Sequence, residues 1–377
     1  MRLLKNILKI LGGIVVALSI AVFLIFQLPE FGGRYSGSRL EKMQRSPEFI
    51  DGRFQDVPPQ NTDPSWSKTR KLYGQGQVRK PQFEIPVIKL DPRILDLPTS
   101  KGLKTIWFGH SSVLLEIEGV RIMTDPVLSD VVSPVPFLYG IKRMHPPPIA
   151  LNDLSHIDAV LISHDHYDHL DMATVKHLAA QGAHFYVGLG VGAHLERWGV
   201  PVAQIHEMDW WESLPFKGLS INCTPARHYS GRKGMNNPTL WASWVIKGAD
   251  HSVYYSGDTG YANHFREIHK RFGDMDLTLM KVGAYGETWL DIHMDPESAI
   301  KAQQDLGGKI LLPVHWATFD LSYHAWDEPI LRTLAAAKVS GVDVITPRIG
   351  EVFEYGQPFQ NVEWYKRPSE TQGASAR

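Results

Sequence analysis

Residues 10–29 are 20 consecutive positions without Asp, Glu, Lys or Arg, and Ile14, Val15, Val16, Ile20, Val22, Phe23, Leu24, Ile25 and Phe26 leave no polar face. As a helix this run is roughly 30 Å long, the thickness of a bilayer's hydrocarbon core. Arg2, Lys5 and Lys9 precede it, so the positive-inside rule keeps the N-terminus in the cytoplasm and translocates the chain beyond Leu28. A cleavable signal peptide has the same charge order but a shorter apolar core, and no A-x-A site precedes Glu30. The expectation is therefore an uncleaved single-pass anchor over 1–28. The rest of the chain then lies on the non-cytoplasmic side, periplasmic in a bacterium.

Residues 29–100 are rich in proline, glycine and polar groups, as in Val57-Pro58-Pro59-Gln60-Asn61-Thr62-Asp63-Pro64, and read as a stalk and extended lead-in that wraps a domain. Over 101–360 the period changes repeatedly between two and 3.6. Strands are expected over 105–108, 113–117, 120–124, 159–163, 184–187, 219–224, 240–246, 252–256, 277–282, 310–314 and 342–346. Helices are expected over 172–180, 191–198, 262–272, 296–306 and 328–339. Many strands with interleaved helices predict an α/β (α+β) domain of stacked sheets covered by helices. Residues 361–377 read as a polar tail, disordered from Arg367.

The composition of the 377 residues, 43% hydrophobic and 21% charged, excludes wholesale disorder. Net charge is −1, and without the three N-terminal cations the remainder carries −4, which disfavours nucleic acid as a partner. One cysteine, Cys223, excludes a disulfide framework and a thiolate cluster. Seventeen histidines leave imidazole as the available soft ligand.

Four of the ligand candidates fall in register. Ser163-His164-Asp165-His166-Tyr167-Asp168-His169-Leu170-Asp171 follows the apolar strand Ala159-Val160-Leu161-Ile162. Residues two apart on an extended segment point the same way, so His164 and His166 can grip one ion, and Asp168 and His169 on the turn beyond can grip a second. These donors suit Zn²⁺, with Fe or Mn as substitutes. Three later strands repeat the grammar of apolar strand, then ligand: His228 after 221–224, Asp258 after 253–256 and His315 after 310–314. Glycines flank Asp258, and its two carboxylate oxygens can bridge two ions.

H-x-H-x-D-H followed by a later His, Asp and His resembles the metallo-β-lactamase superfamily. Within it the chain is similar to the N-acylphosphatidylethanolamine-hydrolysing phospholipase D group. The shared stretches include Trp107-Phe108-Gly109-His110-Ser111, Thr124-Asp125-Pro126, Asp209-Trp210-Trp211-Glu212, Gly257-Asp258-Thr259-Gly260-Tyr261, His293-Met294-Asp295-Pro296-Glu297 and His315-Trp316-Ala317-Thr318-Phe319. They lie in order over roughly residues 100–330. The resemblance implies an αββα sandwich, two mixed β-sheets flanked by helices, with two Zn²⁺ at one edge. It implies one ion on His164, His166 and His228, the other on Asp168, His169 and His315, and Asp258 between them. Asp165 stands where relatives often carry asparagine and is not a ligand in that scheme.

The activity implied is hydrolysis of N-acylphosphatidylethanolamine to an N-acylethanolamine and phosphatidic acid by metal-activated water. Asp168 and His293 are then the catalytic candidates, His293 to contact the phosphate or protonate the leaving alkoxide. His110 and Asp125 are candidates to orient ligands from behind, with plain packing as the alternative. The expected partners are a phospholipid substrate and the bilayer, and a homodimer is compatible with the sequence. The ligands alone do not separate phosphoryl from carbonyl chemistry, so a lactonase or β-lactamase-like hydrolase is the alternative, and a metal-stabilised envelope protein without activity is a third reading. Trp210-Trp211 fits either a membrane interface or the core. Phe137-Leu138-Tyr139, bracketed by prolines, fits either an acyl-chain access route or a rigid loop.

Overall fold

Alternation along Val113–Ile117 sends Val113, Leu115 and Ile117 into one apolar layer and Leu114 into another, the period-two geometry of a strand buried on both faces. The first layer is shared with Ile221, Val253, Leu277 and Leu312 of a second sheet, and the other layer is closed by Val175, Leu178 and Leu195 from helices. The computed structural model describes residues 2–56, 58–60, 62, 65–99 and 101–366. Two seven-stranded mixed sheets are stacked and flanked by helices, the architecture that the metallo-β-lactamase resemblance implies. Each fully buried Leu, Ile or Val contributes about 1.5–3 kcal/mol through its removal from water.

Strand direction decides where the chemistry gathers. In the first sheet the spatial order is Ile205–Met208, His184–Gly188, Ala159–Ile162, Val120–Thr124, Val113–Ile117, Leu103–Trp107, Val352–Glu354. The first four run parallel and the remaining pairings are antiparallel. Two reversals return Leu103–Trp107 to the direction of Val120–Thr124 and Ala159–Ile162, so all three end at one edge. The second sheet runs Ser213–Phe216, Leu219–Thr224, Ser243–Lys247, Ser252–Tyr255, Met275–Lys281, Gly308–Val314, Asp343–Val344, with three antiparallel pairings and then three parallel ones. Leu219–Thr224, Ser252–Tyr255, Met275–Lys281 and Gly308–Val314 therefore also share a direction.

Several elements differ from expectation. The strand expected over 240–246 forms only as Ser243–Lys247. Short strands at Ile205–Met208, Ser213–Phe216 and Val352–Glu354 add to the expected set, and the second carries Pro215 at a sheet edge, where a missing N–H is tolerated. Trp364 and Tyr365 are not part of a polar tail: both are buried, and Trp364 stacks on Trp316 at 5.1 Å, which stacks on Trp107 at 5.4 Å. The tail expected from Arg367 lies outside the described residues.

Residues 29–100 are not a free-standing stalk. They carry helices Gly37–Gln44 and Trp66–Tyr73, and Phe31, Met43 and Phe54 are buried. Arg39 bridges Glu196 and Glu207 at 2.8 and 2.6 Å. Arg227 donates to the carbonyls of Pro58 and Pro59 at 2.7 and 2.9 Å, while Trp241 Nε1 donates to Asp56 at 3.2 Å. In the proline-rich run, Val57, Asn61, Asp63 and Pro64 lie outside the described residues. Helix Arg2–Ile25 is long and apolar enough to cross a membrane, and its apolar stretch is not buried against the described residues. A signal sequence meets the same test of length and composition.

Asp56 gives the wrapped lead-in a pH signature. Burial pushes its carboxyl up to about 7, against the opposing pull of Gln60, Arg227 and Trp241. Between the ordinary carboxylate value and about 7 the folded state holds a proton that the unfolded chain has lost, so stability falls as pH rises through that window, by at most about 1.4 kcal/mol per pH unit. Asp56→Asn is expected to flatten the slope of the unfolding midpoint, measured in denaturant on the full chain in detergent between about pH 4 and 7.

Candidate metal centre

Ala159–Ile162 is buried along its whole length, and its chain continues through Ser163 to Asp171, whose carboxylate accepts from Ala173 N and caps helix Met172–Ala180. The motif is thus held at both ends. His169 N and Leu170 N both donate to the His166 carbonyl, at 3.1 and 2.8 Å, and this turn separates the first pair of donors from the second.

Among the described residues four overlapping groups of ligand atoms form, each with all its members within 4.8 Å of one another. His164, His166 and His228 make the first and His110, Asp168, His169 and His315 the second, while Asp125 groups with His164 and His169, and Asp258 with His228 and His293. In the first, His166 Nδ1 lies 2.8 Å from His164 Nε2 and 3.3 Å from His228 Nε2. In the second, Asp168 Oδ2 lies 3.4 Å from His169 Nε2 and 3.6 Å from His315 Nε2. Asp258 Oδ2 reaches both: 3.3 Å to His169 Nε2, 3.0 Å to His315 Nε2 and 3.9 Å to His228 Nε2. Gly257 makes this approach feasible. Its φ is +55°, and a Cβ there would stand 2.5 Å from the Ser163 Cβ.

The partners behind these donors fix which nitrogen faces inward. Asp125 accepts from Ser163 N at 2.7 Å, from the Ser163 and Tyr255 hydroxyls, and from His169 Nδ1 at 2.5 Å. Ser163 Oγ in turn meets His164 Nδ1 at 2.9 Å, and His228 Nδ1 donates to the Ile292 carbonyl at 3.2 Å. His164, His169 and His228 are therefore turned to present Nε2. His110 Nε2 lies 3.0 Å from Asp168 Oδ2, the contact of a partner that orients this ligand, although its ring also belongs to the second group of ligand atoms. Its carbonyl also accepts from His315 N at 2.9 Å. Asp125, His110 and His315 all adopt positive φ, at 31°, 51° and 65°, so backbone strain is concentrated where the donors meet.

The charges within this shell do not balance. Burial opposes ionisation of Asp168 and Asp258, yet the surrounding histidines hold both carboxyls well below their ordinary range. Burial likewise opposes the His169 cation, but Asp258, Asp168 and Asp125 raise it well above the ordinary imidazole value. His164 and His228 go the other way, lowered chiefly by burial. Meanwhile Asp258 Oδ1, His169 Nε2 and both nitrogens of His315 are buried without a hydrogen bond. Unpartnered buried donors around two carboxylates are what bound cations would satisfy, and the set fits a binuclear metal site of nitrogen and oxygen ligands.

The site floors a cavity of about 880 Å³. Val135, Ile141, Trp289 and Ile292 supply apolar walls, and Gln60 and Thr62 of the lead-in form part of the rim. His293 faces the same cavity, its Nε2 3.7 Å from Asp258 Oδ2, and burial followed by the Lys281 charge keeps its imidazole well below the ordinary value. Trp210 and Trp211 are packed on the fold: Trp210 Nε1 donates to the Trp241 carbonyl at 2.7 Å and Arg271 lies 3.8 Å over the Trp211 ring. Sequence reading missed Tyr255 and Lys281. Alternation along Ser252–Tyr255 could have aimed Tyr255 at the site, whereas nothing local marks Lys281, a fully buried cation whose Nζ donates to the Met294 carbonyl at 3.1 Å.

A sequence profile described as a Beta-lactamase superfamily domain matches residues 120–316. An uncharacterized protein of Mycobacterium tuberculosis is 44% identical over 332 residues, covering 86% of this chain and 88% of its own. The N-acyl-phosphatidylethanolamine-hydrolyzing phospholipase D 1 of Caenorhabditis elegans is 32% identical over 278 residues, 69% of this chain and 78% of that one. Among solved structures, a metallo hydrolase of Ignicoccus hospitalis superposes with a TM-score of 0.51 at 24% identity, over 68% of this chain and 99% of that one, a likeness of fold alone.

The hydrogen bonds of Asp125 predict a measurable effect on metal binding. Asp125→Asn is expected to lower metal affinity by about 10–100-fold while leaving the fold intact, read by competition with a chromophoric chelator. An unchanged affinity would reduce Asp125 to packing.

Proposed function

The chain belongs to the metallo-β-lactamase superfamily, and we propose that it is a membrane-tethered phosphodiesterase of phospholipase D type, hydrolysing N-acylphosphatidylethanolamine to an N-acylethanolamine and phosphatidic acid. A metal-dependent hydrolase of that superfamily follows from the profile match and the binuclear donor set. The observation that carries the phospholipase reading is the combination of a floor of candidate metal ligands with apolar walls in one cavity of about 880 Å³, which suits a phosphodiester attached to acyl chains. The relative from Caenorhabditis elegans and the membrane-length N-terminal helix support it.

His164, His166 and His228 would hold one ion and Asp168, His169 and His315 the other, with Asp258 serving both. When bound, two such ions supply Lewis acidity toward phosphoryl oxygens and lower the pKa of water, and Zn²⁺, Fe or Mn meets that need. The remaining work falls to the chain. Asp125 holds His169 directly and His164 through Ser163, so that the donors do not reorganise during the reaction. His110 fixes Asp168. His293 is held neutral by burial, so it contacts the phosphate as a single N–H donor rather than as an imidazolium acid. The apolar walls exclude water from the far side of the substrate.

The test offers metal-loaded full-length protein N-acylphosphatidylethanolamine, a bis-aryl phosphodiester and a lactone. Phosphatidic acid and N-acylethanolamine are the expected products, and His164→Ala is expected to abolish both diester activities. His293→Gln is expected to lower kcat by about 10–100-fold, the worth of one hydrogen bond to a charged group. Cleavage of the lactone alone would overturn the lipid reading in favour of carbonyl chemistry, and cleavage that survives metal removal would overturn the mechanism.

A further inference from the structure

The chain does not leave its apolar helix as a loose tether. Arg197 donates Nη1 to the Gly32 carbonyl at 2.7 Å and Nη2 to those of Gln27 and Leu28 at 2.5 and 3.3 Å. Trp198 Nε1 donates to the Pro29 carbonyl at 2.7 Å, and Arg232 Nε to that of Glu30 at 2.7 Å. Arg232 is buried, and its Nη1 also donates to the carbonyls of Asp165 and Leu170, at 2.8 and 3.0 Å, inside the metal-binding loop. Gly32, at φ +75°, has no room for a side chain, since a Cβ would stand 2.0 Å from His194 Nδ1. The end of the helix is therefore mounted on the domain through bonds that also brace the site.

Beside this mount lies the loop 133–139. Glu30, Arg232 and Tyr167 line a small cavity together with Ser133 and Pro136 of that loop, so the loop borders the point where the chain leaves the helix. Phe137, Leu138 and Tyr139 are 69%, 68% and 75% exposed. Three consecutive large apolar side chains in water mark an interaction surface rather than ordinary surface variation. Pro134, Val135 and Tyr139 also line the cavity above the metal centre, together with the exposed Met235. The basic side chains of Arg34 and Lys233 are exposed nearby, and Lys233 is close enough to Arg34 and Arg197 to feel their repulsion.

We propose that the loop 133–139 is a second membrane attachment, in which Phe137, Leu138 and Tyr139 enter the bilayer beside the anchor and the mounted helix end turns the cavity mouth toward the lipid. The occupant is a phospholipid surface because the patch adjoins a membrane-length helix and because its basic neighbours complement anionic headgroups. Tyr139 is also of the residue class that settles at the headgroup level, and Phe137 and Leu138 supply the apolar area that enters beneath it. A lipid can then pass from the leaflet into the cavity without crossing water. The inference rests on the membrane-bound reading of the site, so its test reports on the anchor separately and does not use activity.

Cys223 is fully buried, so a cysteine placed on the surface can be labelled alone. Leu138→Cys, Val16→Cys and Val339→Cys are each labelled with an environment-sensitive dye in the full chain and reconstituted into phosphatidylglycerol–phosphatidylcholine vesicles carrying a lipid-borne quencher. The expected result is blue-shifted, quenched emission at 138 and 16 and water-like emission at 339, a position 89% exposed on helix Glu328–Ser340. Quenching at 16 but water-like emission at 138 overturns the loop attachment and leaves the anchor standing. Water-like emission at both overturns both. A blue shift at 138 without lipid quenching assigns the patch to a second copy of the chain and overturns the proposal, as does quenching at 339 equal to that at 138.

Discussion

Asp258 is buried and Asp168 largely so, both with imidazole rings as neighbours, and negative charge of that kind persists away from water only with a cation among it. Against the opposing effect of burial, these carboxylates raise the His169 imidazole well above its ordinary value, while burial lowers those of His164 and His228. Much of the surrounding architecture serves this one electrostatic demand. Strand directions in both sheets bring His110, Asp125, His164, His228, Asp258 and His315 to a common edge. The glycine before Asp258 permits contact with Ser163, and left-handed backbone at Asp125, His110 and His315 aims their side chains. Each strained position costs of order 1–3 kcal/mol, which the packed sandwich beneath must offset.

What was legible in the sequence was local. His164, His166, Asp168 and His169 sit within six residues of each other, and His228, Asp258 and His315 each follow an apolar run, so motif and strand grammar marked these ligand candidates and stacked sheets, while the αββα sandwich came from the metallo-β-lactamase resemblance. Parts of the structure that depend on distant partners left no such trace. The proline-rich run at 57–64 has no periodicity, yet Arg227 fastens part of it to the rim of the cavity through backbone carbonyls, which any residue offers. Trp364 is buried only because Trp316 and Trp107 present their faces to it from both sheets. Lys281 ends the strand Met275–Lys281, whose apolar positions alternate with Asp276 and Thr278, and its significance comes from what packs over it. His110 shows the same limit, because Gly-His-Ser after a strand marks a candidate partner but not which ligand it meets, here Asp168 at 3.0 Å.

The apolar N-terminal helix and the candidate metal centre are joined through the Arg232 guanidinium. Arg232 binds the chain just after the helix and both ends of the motif loop, which ties the placement of the helix end to the geometry of the site. Under the proposed lipid hydrolysis, binding energy from acyl chains along the apolar walls would position the phosphodiester over the donors, which is how remote contacts contribute to a chemical step.

In the proposed reaction this centre directs water at phosphorus rather than at a carbonyl carbon. Hydrolysis of N-acylphosphatidylethanolamine in heavy-oxygen water tests it most directly, with both products analysed by mass spectrometry. The account predicts the label in the phosphate of phosphatidic acid and none in the N-acylethanolamine. Label in the N-acylethanolamine hydroxyl, or in a released fatty acid, would contradict it.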